Sequence, residues 1–366
     1  MKSLSYKWTL KDANFTKDKG KVFSCFACGG GSTMGYKLAG FDVIGCNEID
    51  PKMNKVYIEN HKPKFNYLEP IQEFKLRKNL PSELYNLDIL DGSPPCSSFS
   101  VAANREKDWG KQKKFREGQA KQVLDTLFFD FLDLGEKLQP RAIIAENVKG
   151  MLLGSAQKYV SKVLNRFNEI GYYVDFKLLD ASRMGVPQKR ERVFFYAIRK
   201  DLYKGEFEDL FMTKPVLNLE FNQKPIKYID VREPGNFEHE FSDFYKELWS
   251  QRILSDTDFR DINGRVRNKP NTGFGTTFAK EDKVCGTLTA KKECYADFHD
   301  GRYLSVSEKI KISSFPSDYN FLGMEPGYIM GMSVPPIMVA QIAIRVYEQW
   351  LNNGDENATG KDLRRQ

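Results

Sequence analysis

Short apolar runs alternate with helical patterns through the first half of the chain. Val22–Phe26 predicts a strand, the turn Gly29-Gly30-Gly31 follows it, and a helix runs on through Leu38. Asp42–Cys46 predicts a second strand, and Pro51 opens another helix. Leu87–Leu90 reads as a short buried strand ending at Asp91-Gly92-Ser93-Pro94-Pro95. Apolar positions at Val123, Leu127, Phe131, Leu134 and Leu138 predict a helix over Gln119–Leu138, and Ala142–Ala145 reads as a strand ending in Glu146-Asn147. Further strands are expected at Tyr172–Leu179 and Val193–Ile198. This alternation predicts an α/β fold, a mostly parallel sheet with helices on both faces.

Beyond Lys200 the rhythm stops. Residues 200–300 carry many aromatics, scattered glycines and weak periodicity, which predicts a smaller, irregular domain. Ile337, Val339, Ile342, Ile344 and Val346 give the segment from Pro335 to Leu351 a helical pattern. The expected organisation is an extension at 1–20, the α/β domain at 21–199, the irregular domain at 200–300, a segment at 301–352 that returns to the α/β domain, and a polar tail at 353–366.

Composition narrows the class. A chain of 366 residues with 41% hydrophobic and 29% charged residues is globular rather than disordered. No stretch reads as the ~20 apolar residues of a bilayer span, and the N-terminus lacks a signal-peptide core. A cytoplasmic protein without membrane contact is expected. The net charge of +7 is compatible with a polyanionic partner. Between Val101 and Lys121, seven basic residues (Arg105, Lys107, Lys111, Lys113, Lys114, Arg116, Lys121) face three acidic ones, an excess of +4. That segment is either a solvated loop or a phosphate-contacting one.

The six cysteines are spread out, which suits free thiols better than a disulfide framework. Cys25 and Cys28 have CxxC spacing, but a zinc site needs a second ligand pair and the sequence has none. No metal is expected. A redox pair is the other reading, although three glycines follow directly, where a cofactor turn is more natural.

Four constellations carry chemistry. The glycines after the first strand let backbone approach a ligand closely. Glu48 follows about 20 residues later, where an acid binds ribose hydroxyls in nucleotide-binding sheets. The glycines do not spell GxGxxG, and no basic residue follows to hold a pyrophosphate, so a nucleoside cofactor fits better than a dinucleotide. Pro94-Pro95-Cys96 stands at a strand end, where open α/β sheets place their sites, with prolines fixing the direction of the thiol. Glu146-Asn147-Val148 also follows a strand, and a buried acid there could hydrogen-bond a ring nitrogen. In Gln188-Lys189-Arg190-Glu191-Arg192, arginines at alternate positions would form a paired cationic face. Each has a plain alternative: an inert thiol, a helix-capping acid, a charged edge strand.

In order and wording these runs resemble the DNA (cytosine-5) methyltransferase family. The matching runs are Phe26-Ala27-Cys28-Gly29-Gly30-Gly31, Asn47-Glu48-Ile49-Asp50, Gly92-Ser93-Pro94-Pro95-Cys96, Glu146-Asn147-Val148 and Gly185-Val186-Pro187-Gln188-Lys189-Arg190-Glu191-Arg192. Gly286-Thr287-Leu288-Thr289, Leu304-Ser305-Val306-Ser307-Glu308 with Ser314-Phe315-Pro316, and Gly331-Met332-Ser333-Val334-Pro335-Pro336 continue the series over about residues 20 to 350.

The resemblance implies an S-adenosylmethionine-dependent, Rossmann-like catalytic domain at 21–199 and a target-recognition domain at 200–300. It implies catalysis by Cys96, Glu146, Arg190 and Arg192, with Cys96 attacking C6 of a cytosine flipped from the duplex, Glu146 at N3 and Arg192 on the O2 side. S-adenosylmethionine would be held by Phe26, Gly30, Gly31, Glu48, Ile49, Ile71, Pro95, Ser333 and Val334. Ser100, Arg105, Lys111, Lys113, Lys114, Gln188, Gly273, Phe274 and Thr287 would contact DNA, with Val101–Lys121 as a loop closing over it. Double-stranded DNA is the implied partner of a monomeric modification enzyme, with a restriction endonuclease acting on the same site without a stable complex.

Cys28 stands where glycine is usual, Pro70 where an acid precedes Ile71 (with Glu69 adjacent), Met332 where asparagine is usual and Ile329 where glutamine is frequent. A relative acting on tRNA cytosine would carry a Cys-Phe-Thr run, absent here. A relative that binds DNA without catalysis would have lost Cys96 or Glu146.

Overall fold

A computed structural model describes residues 4–95, 126–154, 156–203, 215–235, 239–268 and 275–352, together with the backbone of two short strands within 112–123. By packing, the chain divides into two compact units. One comprises residues 14–179, 191–220 and 339–366, the other residues 1–13, 180–190 and 221–338.

The larger unit is built on strands β1 (Lys21–Cys25), β2 (Asp42–Glu48), β3 (Phe65–Leu68), β4 (Ile89–Gly92), β7 (Ala142–Val148), β8 (Tyr172–Asp180) and β9 (Glu191–Arg199). Between β4 and β7 lie β5 (Gln112–Lys113) and β6 (Gln122–Val123), which pair antiparallel with each other. The seven-stranded sheet has the order β3-β2-β1-β4-β7-β9-β8. β1 pairs in parallel with both β2 and β4, and β4 with β7, whereas β9 runs antiparallel to β7. The chain order reverses beside β1, so the crevice outside the carboxyl ends of β1 and β4 is the place for a ligand in such a sheet.

Helices α1 (Gly31–Leu38), α2 (Pro51–His61), α3 (Ile71–Phe74), α4 (Leu127–Leu138) and α5 (Ala156–Glu169) connect these strands. The buried stripe of α4, Leu127, Phe131, Leu134 and Leu138, joins Phe23 of β1, Leu90 of β4, Ile143 of β7 and Phe195 of β9 in one core. α2 starts sharply because Asp50 caps it, accepting from the Lys52 and Met53 amides, with Pro51 in the first turn.

Three element boundaries depart from the pattern-based reading. β2 and β7 run on to Glu48 and Val148, so Glu146 and Asn147 lie inside a strand rather than past it. Register pairing with β9 continues to Val148 opposite Arg192, which keeps the last residues extended. The helix expected from Gln119 begins only at Leu127, because the backbone of Gln122–Val123 is taken up by its pairing with Gln112–Lys113. A periodic apolar pattern cannot distinguish a helical turn from a strand that continues the same spacing.

The other unit holds α6 (Asp243–Ser250), α7 (Phe259–Arg267), the parallel pair β10 (Thr277–Ala279) and β11 (Tyr295–Asp297), α8 (Val306–Ile312), α9 (Pro326–Met332) and the start of α10 (Pro336–Val346). Its aromatic core includes Phe241, Phe259, Phe278 and Phe298. A second, ionic core lies beside it. Arg302 is fully buried, with its guanidinium on Glu308 (2.8 Å) and Asp297 (3.2 Å), and Asp297 also binds Arg232 (2.7 Å). Of the expected extension, residues 4–13 belong to this unit and residues 14–20 to the larger one. Trp8 donates its indole N–H to the Ser314 carbonyl, and Asp318 accepts from the Leu10 and Lys11 amides. The segment Pro326–Leu351 is long and apolar enough by composition to cross a membrane, contrary to the reading from sequence, but its apolar window is 78% buried within the protein. Its apolarity is that of core helices interrupted between Met332 and Pro336.

Candidate active site

Because β1, β2, β4 and β7 are parallel, their carboxyl ends share one edge of the sheet. That edge collects the turn Phe26–Gly31, Glu48, Ser93–Pro95 and Glu146–Val148, and the antiparallel β9 begins there with Glu191 and Arg192.

Glu146 and Arg192 are diagonal neighbours on one face of the β7–β9 ladder, since Val148 pairs with Arg192 and Glu146 with Phe194. Arg192 Nε stands 2.9 Å from Glu146 Oε1, with both side chains mostly buried. Asn147, on the opposite face, is 3% exposed and donates its amide to the Pro94 carbonyl at 3.1 Å. Its own Oδ1 accepts from the Val148 amide. The strand carrying the acid therefore also holds the Ser93-Pro94-Pro95 segment. Nothing in the motif wording singled Asn147 out; its signal was only its place between Glu146 and Val148. Cys96 itself lies outside the described residues, as do Ser100, Arg105, Lys111, Lys114, Gly273, Phe274 and the side chain of Lys113.

The glycine turn is built around Glu48. Its carboxylate accepts from the Cys28 amide at 2.7 Å and from the Ile49 and Asp50 amides at 2.8 Å each. Burial pushes the carboxyl above its usual range, opposed by these three N–H groups. Three bonds leave a carboxylate about one free lone-pair site, enough to accept a hydroxyl. Gly30 has φ +79°, and a Cβ there would lie 2.1 Å from Nε2 of the buried His61, so position 30 tolerates no side chain. Cys28 sits at φ +48°, the left-handed region that favours glycine. It adopts the conformation that a glycine would there, and its contact to Glu48 is made by backbone. Burial raises the Cys25 thiol well above its ordinary range, which argues against a reactive CxxC pair.

Phe26, Ile49 and Pro95 are partly exposed at this edge, and Gly31 and Ile71 are buried. Ile71 starts α3, behind a backbone that Asn47 holds by donating to the Tyr67 and Glu69 carbonyls. The Glu69 carboxylate, next to Pro70, is engaged by Arg77 Nε (2.5 Å) and Nη2 (3.1 Å). In the other unit Ser333 and Val334 are buried, and the Ser333 hydroxyl has no hydrogen-bond partner among the described residues.

Two expectations change. Arg190 precedes β9 and forms no cationic face with Arg192. It is 3% exposed and donates to the carbonyls of Leu288 (2.9 Å) and Gly331 (3.0 Å). Gln188, expected on DNA, is 1% exposed. Its Oε1 accepts from the Leu288 amide, and its Nε2 donates to the Ile312 carbonyl. Buried polar side chains that saturate backbone groups hold loops together. Thr287, partly exposed, donates its hydroxyl to the Lys189 carbonyl. Segment 186–190 thus organises the second unit from within.

The family model for C-5 cytosine-specific DNA methylases matches residues 20–348. The chain belongs to this family. It is 28% identical to the type II methyltransferase M.FnuDI of Fusobacterium nucleatum, over 94% of this chain and 98% of that protein. It is equally similar, at 28%, to M.MthTI of Methanothermobacter thermautotrophicus, over 89% of this chain and 96% of that one. Among solved structures, a DNA modification methyltransferase encoded in an Escherichia coli prophage matches with a TM-score of 0.63 at 20% identity, covering 91% of this chain and 99% of that one. The Spodoptera frugiperda DNMT2 mutant matches with a TM-score of 0.60 at 18% identity, over 89% and 99%. At these identities the structural likeness establishes the fold. As a member of this family the chain is a DNA (cytosine-5) methyltransferase, and S-adenosylmethionine dependence is implied by family and fold.

Proposed function

We propose that the chain methylates a cytosine within a specific duplex DNA sequence, as a cytoplasmic, monomeric modification enzyme, through a covalent bond between Cys96 and the flipped-out base. The observation that carries this reading is the Glu146–Arg192 pair at 2.9 Å, on the strand whose Asn147 tethers the segment leading into Cys96. A carboxyl and a guanidinium side by side match N3 and O2, neighbouring atoms on one edge of cytosine.

In the scheme, the Cys96 thiolate bonds to C6, and the ring electrons move toward N3 and O2. Glu146 holds a proton at N3 and Arg192 donates to O2, so both stabilise the charge that develops there. S-adenosylmethionine supplies an electrophilic methyl group for C5. Loss of the C5 proton restores the ring double bond as the C6–S bond breaks and Cys96 leaves as thiolate. The larger unit fits the cofactor: Gly30 and Gly31 give close backbone approach, Glu48 offers a hydroxyl acceptor, and Phe26, Ile49 and Ile71 provide apolar surface. The unit at 221–338 would read the target sequence, and the basic segment 101–121 would meet phosphate.

The test is methyl transfer from labelled S-adenosylmethionine to duplex DNA and to tRNA. Parent protein should label cytosine C5 in DNA, and Cys96→Ser should abolish labelling while remaining folded. Labelling of tRNA alone would contradict the duplex reading.

A further inference from the structure

One buried carboxylate in the larger unit has no part in the reaction scheme. Asp91 lies in β4, opposite Ser24 of β1 and Ile144 of β7, and is 4% exposed. Its Oδ2 accepts from the Ser24 hydroxyl at 2.8 Å and its Oδ1 from the Tyr36 phenol at 3.1 Å, with Ser32 as a third hydroxyl donor. Ser32 and Tyr36 belong to α1, the helix opened by the glycine turn, and Ser24 is the penultimate residue of the strand before it. The carboxylate therefore sits at the root of the segment assigned to the cofactor.

The titratable groups around it are Cys25 on β1, Tyr36 on α1 and Glu146 on β7. None is a cation, and no ion pair to Asp91 is formed among the described residues. Burial raises its carboxyl to about 6, while the three hydroxyl donors oppose that rise. At neutral pH the group is thus a buried anion compensated by dipoles, and such an anion costs stability. Groups that cost stability in this way cluster where a protein uses their charge.

We propose that ionised Asp91 makes the cofactor site discriminate by charge, favouring the cationic sulfonium of S-adenosylmethionine over the neutral thioether left after transfer. This rests on the S-adenosylmethionine reading of the glycine turn. A unit charge about 10–15 Å from another, at an effective dielectric of about 20, changes affinity by roughly five- to twenty-fold, with less screening by salt than at an exposed site. The preference favours release of product without any contact to the reacting atoms.

Calorimetric titration of the full chain, without DNA, with S-adenosylmethionine and with S-adenosylhomocysteine tests this at about pH 5 and about pH 7.5. The parent should prefer the sulfonium at the higher pH, and that preference should fall roughly five- to twenty-fold at the lower one. In Asp91→Asn the preference should be low at both. Tyr36→Phe removes one donor to the ionised form, so the midpoint of the change should move to higher pH. It decides the matter even where Asp91→Asn fails to fold. A preference that ignores pH in the parent, or is unchanged in both variants, would overturn the inference alone. Binding of neither ligand by the parent would overturn the cofactor reading and this inference with it.

Discussion

The Asn147 amide donates to the Pro94 carbonyl across 3.1 Å, linking the end of β7 to the segment that follows β4. Through this bond the strand that carries Glu146 also fixes the backbone two residues before Cys96. Asn147→Ala would leave a buried carbonyl unsatisfied and lower stability by about 1–3 kcal/mol. Its larger effect should fall on kcat, with the KM for cofactor nearly unchanged, because the aim of the thiol is lost. A loss confined to KM would contradict the assignment.

Arg192 and Glu146 should behave as a unit. Arg192→Ala removes the donor proposed to face the developing charge, and a fall of roughly 10²–10³ in kcat is expected, with folding retained. Glu146→Gln should fall similarly, and the double variant should fall by much less than the product of the two, measured in single-turnover kinetics. Full additivity would mean that the two side chains act separately.

Cys28 and Gly30 stand two residues apart in one turn, yet substitution should act oppositely. At Cys28, φ +48° strains any side chain, so Cys28→Gly should leave the melting temperature equal or higher and cofactor affinity intact. Gly30→Ala adds both a strained φ and a collision with His61, and should lower stability and abolish cofactor binding. Equal tolerance at both positions, by thermal melts and calorimetry, would refute this picture of the turn.

His61 links the same turn to pH. Burial holds its imidazole neutral, with its pKa lowered from 6.5 to about 3. The unfolded chain takes up a proton near pH 6.5 and the folded chain does not. Stability from this group is therefore complete above that pH and is lost as pH falls toward 3, by about 1.4 kcal/mol per pH unit. Denaturant melts of His61→Gln should show a shallower acid slope than the parent. An identical slope would assign the acid lability elsewhere.

Much of the sheet was legible because β1, β2 and β4 announce themselves as short apolar runs closed by glycine, acid or proline. The place of Glu48 and Arg192 near strand ends on the shared edge was legible for the same reason, whereas Glu146 lies inside β7. Arg190 and Gln188 were misread because charge and polarity in a motif do not reveal burial. Their side chains point into the second unit and satisfy carbonyl and amide groups far away in sequence. The contacts of Asn147 and Asp91 could not be read from sequence, because they depend on which strands lie side by side. The start of α4 was misplaced because a local pattern carries no information about a strand partner ten residues upstream.

The central claim is a covalent bond between Cys96 and a cytosine in duplex DNA, and trapping tests it most directly. A duplex with 5-fluorocytosine at the target position cannot lose a C5 proton after methyl transfer, so the C6–S bond should persist. With S-adenosylmethionine present, a complex stable to denaturation should form, with the base mapped to Cys96 by peptide mass analysis and no complex from Cys96→Ser. A complex mapped to another residue, or formed equally well by Cys96→Ser, would contradict the account.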